Sequence, residues 1–189
     1  MSDDKLISLR GELDKIDFEI QNLLIQRAEV SLEVKNVKGT DGAKLKPGRE
    51  AQILRTIIAR HEGSFPKTEL IRIWREILST SLKLQGTFNM AVYKPENNND
   101  EDWGYISATR EHFGSNTPII TYSTQRRVIE AILEDECTIG ILPTPVRDDE
   151  SSWWRHLAVQ GNTIKNGLAS KPARVIARLP FATCSNEHG

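Results

Sequence analysis

Two cysteines in 189 residues, Cys137 and Cys184, sit far apart with no CxxC spacing. They supply neither a disulfide framework nor a thiolate metal site, and they read as reduced thiols. The four histidines, His61, His112, His156 and His188, form no ligand cluster along the chain. Net charge is missing as well. With 25 basic and 26 acidic side chains, no global field recruits nucleic acid or an anionic membrane, so any anion must be gripped locally. Nowhere do 18 apolar residues run together, which excludes an ordinary membrane-spanning helix. The start, MSDDKLISLRGELD, has no basic leader followed by an apolar run, so the expectation is a cytoplasmic protein without a secretory signal. What is present is a composition 38% apolar and 27% charged, suited to one globular domain or two small ones.

The chain divides by periodicity. From Leu6 to Lys38, residues Leu6, Leu9, Leu13, Ile16, Ile20, Leu23, Arg27, Val30, Val34 and Val37 alternate spacings of three and four, with no proline and with Gly11 as the sole glycine. A helix of about 50 Å follows, too long for one small domain to cover, so its apolar seam calls for a second copy. Gly39, Thr40, Asp41 and Gly42 break it. Pro47 begins a second helix with the stripe Ile53, Leu54, Ile57 and Ile58. Pro66 opens a third, with Glu69 in its first turn and a buried face of Leu70, Ile73, Trp74, Ile77, Leu78, Ser81, Leu82, Leu84 and Gln85. After Gly86 strands alternate with helices: strands at Phe88–Tyr93, Ile119–Tyr122, Thr138–Leu142 and Arg174–Leu179, helices at Trp103–Phe113, Thr124–Glu134 and Trp153–Leu157. The loop KPENNNDED and the tail CSNEHG show no ordering signal. The fold class is α + α/β, with a helical domain over 1–86 and a small α/β domain over 87–182.

Arg27 is the informative exception, because it occupies a seam position between Leu23 and Val30. A guanidinium there needs an anionic partner, either a carboxylate of the chain itself or a ligand. Lys38 lies three turns on, about 20° around the helix and about 16 Å along it, leaving room for a small molecule between the two cations. Ser81 and Gln85, one turn apart on the third helix, also turn polar groups inward. Arg49 and Glu50 stand in the first turn of the second helix, where glutamate complements the dipole and arginine opposes it.

The segments LISLRGELDKID, LLIQRAEVSLEVKNVK, KPGREAQIL and WREILSTSLKLQ resemble the all-helical chorismate mutase family, whose three-helix chains form an intertwined dimer. The resemblance implies conversion of chorismate to prephenate in aromatic amino acid biosynthesis, with no metal and no cofactor. It implies that Arg10 crosses to the partner subunit's site and that Arg27 binds a substrate carboxylate. Lys38 and Gln85 would contact the ether oxygen of the breaking bond, and Glu50 would hold the ring hydroxyl. Arg49 and Ser81 match supporting positions. Lys46 stands where the family has an acidic residue just before the second helix.

In the second part, MAVY, the helix before FG, PIITY and TIGILPTP resemble one lobe of prephenate dehydratase, a periplasmic-binding-like fold fused to the mutase in some two-function proteins. The expectation here is a reduced lobe that binds a ligand or braces the dimer, without dehydratase activity. Trp153 and Trp154 are its adjacent aromatics and read as packing residues. Two further functions fit the helical pocket: removal of pyruvate from isochorismate, and binding of chorismate or prephenate as a regulatory signal without turnover.

Overall fold

The computed structural model describes residues 2–38, 45–96, 102–145, 153–159, 164–165, 168–169 and 173–179. The break expected at Gly39–Gly42, the middle of the polar loop, Cys184, His188 and the tail CSNEHG lie outside these residues, as does the Lys38 side chain.

Helix α1 spans Ser2–Lys38, 37 residues, and therefore about 55 Å. It begins four residues before the apolar period does, with Asp3 and Asp4 in its first turn beside the positive end of the dipole. Helix α2 spans Pro47–Arg60, with Pro47 in the first turn, where a missing N–H costs nothing. Helix α3 runs Lys67–Gln85 after Pro66. The stripe expected on α2 is turned inward, with Leu54 fully buried and Ile53, Ile57 and Ile58 half-buried.

Helix α3 packs against α1, α2 and the later part of the chain at once. That corrects its expected buried face. Ile73 is 47% exposed and Ile71, Arg75 and Ser79 are buried outside that face, whereas Ser81 is buried as expected. A helix covered on more than one side buries a wider arc than its apolar stripe marks. Along α1, by contrast, the seam residues Leu6, Leu9, Leu13, Ile16, Ile20 and Leu23 are between 46% and 62% exposed. Among the described residues its C-terminal half is the better covered, with Ser31 buried and Arg27, Ala28 and Val34 half-buried.

The α/β part begins with β1 (Met90–Tyr93), followed by α4 (Asp102–Phe113), β2 (Ile119–Tyr122), α5 (Gln125–Leu133) and β3 (Ile139–Ile141). All three strands are parallel in the order β2-β1-β3, with Met90 opposite both Ile119 and Ile139. The chain moves one way from β1 to β2 and back across β1 to reach β3. Right-handed crossovers in opposite directions place their helices on opposite faces. On one face Met90 and Val92 join Phe113, Ile139 and Ile141 against α4 residues Tyr105 and Ile106, and Leu82 of α3 closes the cluster. On the other, Ala91 meets Val128 and Ala131 of α5. Thr124 caps α5 by accepting a hydrogen bond from the Arg127 amide at 3.3 Å.

Helix α6 (Trp154–Val159) and a short antiparallel hairpin, β4 (Ile164–Lys165) with β5 (Leu168–Ala169), follow; two-residue strands leave no alternation to read beforehand. Trp153 is buried and its indole N–H donates to the Pro143 carbonyl at 2.8 Å, while Trp154 is 46% exposed. The strand expected at Arg174–Leu179 is not formed. Residues 173–178 carry no ladder, and Val175 and Ile176 stay 66% and 48% exposed while Leu179 packs on the sheet cluster. Alternation marks a strand only where a neighbour accepts its hydrogen bonds.

Gly140, opposite Ala91 in β3, shows how tightly α5 presses on the sheet. A Cβ there would stand 2.9 Å from Val128 Cγ1 and 3.4 Å from Ile132 Cγ1. Gly140→Ala is expected to cost about 1–3 kcal/mol in urea unfolding, as overpacked cores do. Combined with Val128→Ala, which removes the obstructing methyl groups, the loss should be smaller than the sum of the two single losses.

Candidate active site

The seam arginine of α1 lies against α3. Its guanidinium sits 5.8 Å from the centre of the Trp74 ring. One Nη1 N–H donates to the Ser81 hydroxyl, with the Ile77 carbonyl 3.4 Å away. The Ser81 hydroxyl in turn donates a hydrogen bond to the Ile77 carbonyl at 2.8 Å, and Ser31 donates to the Arg27 carbonyl at 2.9 Å. Among the described residues no carboxylate lies within ion-pair distance of this guanidinium. Burial draws its pKa below the ordinary value, yet a guanidinium keeps its charge in any protein environment. Neutral acceptors and an aromatic face are thus its partners among the described residues, none of which compensates its charge.

Beside it opens a cleft of about 240 Å³, bounded by Leu24, Arg27 and Ala28 of α1 and by Glu76, Ile77, Thr80, Ser81 and Leu84 of α3. The walls are largely apolar, which strengthens an ionic contact made inside. Such a space suits a small organic anion; drug-sized ligands fill sites of about 300–1,000 Å³.

The other residues singled out from the sequence fall into two groups. Ser81 is buried at the cleft with Arg27, and Gln85 follows one turn later at the end of α3, half-buried. Arg10 is exposed on the uncovered half of α1. Arg49 is exposed and donates to Gln52 Oε1 at 3.1 Å within its own helix. Glu50 is buried, but not in the Arg27 cleft: its carboxyl lies 3.7 Å from His112 Nε2 of α4, within the field of Arg75. Lys46 is the exposed N-cap residue of α2 and makes no side-chain cap.

Sequence reasoning passed over Arg75, Glu76 and His112. Arg75 and Glu76 lie off the apolar stripe of α3, where Arg75 faces Glu50 of α2 and His112 of α4 and Glu76 meets Ser115 in the turn that follows. Trp74, taken for packing, forms the aromatic floor under Arg27. A charged pair next to a stripe tryptophan (WRE) is the sole signal that was available.

Burial raises the Glu50 carboxyl to about 7, against the opposing pull of Arg75. Burial together with the Arg75 charge holds the His112 imidazole neutral, with a pKa of about 3. The 3.7 Å approach is therefore no ion pair at neutral pH. For Glu50 the folded pKa exceeds the unfolded 4.5, so its stability contribution is whole below about pH 4.5 and is lost as pH rises through 7. For His112 the sign is opposite: the contribution is whole above about 6.5 and is lost as pH falls toward 3. Glu50→Gln removes the first of these penalties. Its melting temperature relative to the unsubstituted chain should climb between pH 5 and pH 8, by an amount worth about 2–4 kcal/mol. A difference that stays constant over that range contradicts the assignment.

Comparison with known proteins bears on the same segment. Residues 9–86 match the model of the family chorismate mutase type II. The chain is 27% identical over 146 residues to the bifunctional chorismate mutase/prephenate dehydratase of Stutzerimonas stutzeri, a match covering 74% of this chain and 39% of that protein. The protein of the same description from Neisseria gonorrhoeae is 33% identical over 112 residues, covering 59% and 29%. That from Aquifex aeolicus is 29% identical over 145 residues, covering 74% and 39%. The chain thus spans between 29% and 39% of the length of these relatives. A match over 74% of 189 residues exceeds the 86 residues of the helical part, so the likeness continues into the α/β part. Residues 9–86 therefore match chorismate mutase type II, in a chain similar over 74% of its length to a bifunctional chorismate mutase/prephenate dehydratase.

Proposed function

We propose that the chain is a chorismate mutase, converting chorismate to prephenate by an intramolecular rearrangement. The observation that carries this reading is the Arg27 guanidinium, held on an apolar interface by Trp74 and Ser81 beside an open cleft and given no carboxylate within the described chain. The reaction breaks one carbon–oxygen bond and forms one carbon–carbon bond within a single molecule. It asks the protein to hold a flexible dianion in its compact reactive shape and to stabilise charge growing on the ether oxygen.

Arg27 takes a substrate carboxylate through its planar fork. Lys38 and Gln85 donate to the ether oxygen, where fixed donors act more strongly on the transition state than on the ground state. Ser81 orients Arg27 and stands near the same carboxylate. Arg49 organises the loop before α2. Glu50 is assigned to the ring hydroxyl, and that role requires its carboxyl to turn from His112 toward the ligand. Lys46, in place of the family acid, alters affinity and leaves the reaction type intact.

The site is completed in a homodimer. The half-exposed seam of α1 is the surface that a second copy covers, and Arg10, on that uncovered half, enters the partner's cleft. We place the domain boundary at residues 86/87, after α3. The segment 87–182 is assigned to one lobe of a dehydratase-like, periplasmic-binding-like fold, and it braces the mutase domain through α3. No helix among the described residues is long and apolar enough to cross a membrane, and the reaction is assigned to the cytoplasm.

Arg27→Ala should lower kcat/KM for chorismate at least about a hundredfold with helical content retained, the scale expected on losing a charged transition-state contact. Near-normal turnover contradicts the reading, and release of pyruvate from isochorismate by the unsubstituted chain would assign it to the lyase class. Arg10→Ala and Arg27→Ala chains, each inactive alone, should recover part of the activity when mixed, since one site of the heterodimer then carries both arginines. A confirmed heterodimer without activity contradicts the shared site.

A further inference from the structure

Glu76 is the acidic wall of the Arg27 cleft, and it directly precedes Ile77, whose carbonyl faces the guanidinium. A carboxylate so placed is the natural intramolecular partner of Arg27, yet the two form no ion pair. The carboxylate is turned the other way. Glu76 Oε1 accepts the backbone N–H of Ser115, in the turn that follows α4, at 2.7 Å. Gly114, at φ +91°, brings that turn in so closely that a Cβ on it would lie 2.8 Å from Glu76 Oε2 and 2.9 Å from Ser79 Oγ. The approach is pinned a turn further along, where the buried Ser79 and Thr117 hydroxyls are 3.1 Å apart and Thr117 donates to the Phe113 carbonyl.

We propose that the turn after α4 sequesters the Glu76 carboxylate, so that Arg27 keeps its charge for an anionic ligand. The α/β part thereby sets the affinity of a cleft whose described walls come from α1 and α3. Glycine at 114 is required twice, for its left-handed backbone and for the space that a side chain would take from Glu76. Glu76 is a positioning residue here, acting through Arg27. Released from Ser115, its negative charge would compete with the ligand carboxylate, and one favourable charge contact in a partly buried site is worth several-fold in affinity.

This inference rests on the reading that the cleft binds chorismate, and steady-state kinetics separate the two. Gly114→Ala should raise KM for chorismate about five- to tenfold with kcat within about twofold. Gly114→Ala combined with Glu76→Gln should bring KM back to the unsubstituted value, because the amide has no charge with which to compete. A merely structural role for the turn predicts no such recovery. If the unsubstituted chain turns over chorismate but Gly114→Ala keeps its KM, or the double variant fails to recover it, the inference is overturned alone. If the unsubstituted chain neither binds nor converts chorismate, the functional reading falls and takes the inference with it. Should circular dichroism show Gly114→Ala unfolded, Ser115→Pro takes its place, since it removes the N–H that Glu76 accepts; the same rise in KM and the same recovery with Glu76→Gln are expected, and an unchanged KM overturns the inference.

Discussion

A guanidinium set on an apolar helix interface must be held, and how Arg27 is held organises much of this molecule. Removing such a charge from water costs several kcal/mol unless partners compensate. Here the partners are an aromatic face, a hydroxyl and a carbonyl, all from the neighbouring helix. They orient the group without neutralising it. Arg27 therefore requires α3 at a set rotation, with Trp74, Ile77 and Ser81 in one arc, and a helix carrying three such residues cannot turn without breaking the arrangement.

The rotation of α3 is fixed from its other side. Arg75, Glu76 and Ser79 meet His112, Ser115 and Thr117, so the α/β part grips the same helix that α1 uses. The sheet cluster adds Leu82 at the end of α3 to this contact. One helix thus has two jobs: a face for the cleft and a face for the lobe. The α/β segment that follows the three helices thus clamps α3 on the side away from α1. The buried Glu50–His112 contact belongs to the same seam, and its opposed titrations limit stability at both ends of the pH scale.

Much of this was legible in the residues. Arg27 announced itself as a charge in a heptad position, and Ser81 and Gln85 as polar groups on a stripe; two of the three meet at the cleft. Pro47 and Pro66 marked the starts of α2 and α3 because proline tolerates a first turn and little else. The alternating elements after Gly86 came out within a residue or two for β1, β2, α5 and β3. What was hidden depended on distant neighbours. Ile73 looked inward and Arg75 outward until α4 covered the other side of α3. His112 and Glu50 are 62 positions apart, and no local period links them. Residues 174–179 alternate like a strand, but a strand is a relation between two segments, and among the described residues they pair with none.

We propose that the Arg27 charge, given no carboxylate among the described residues, stands ready for that of a ligand. A crystal of the protein grown with prephenate provides the test. The account predicts a ligand carboxylate bonded to the Arg27 guanidinium in the cleft between α1 and α3, with Glu76 still turned toward Ser115. An empty cleft at saturating prephenate, or a guanidinium tied off by Glu76 with the ligand bound elsewhere, would contradict it.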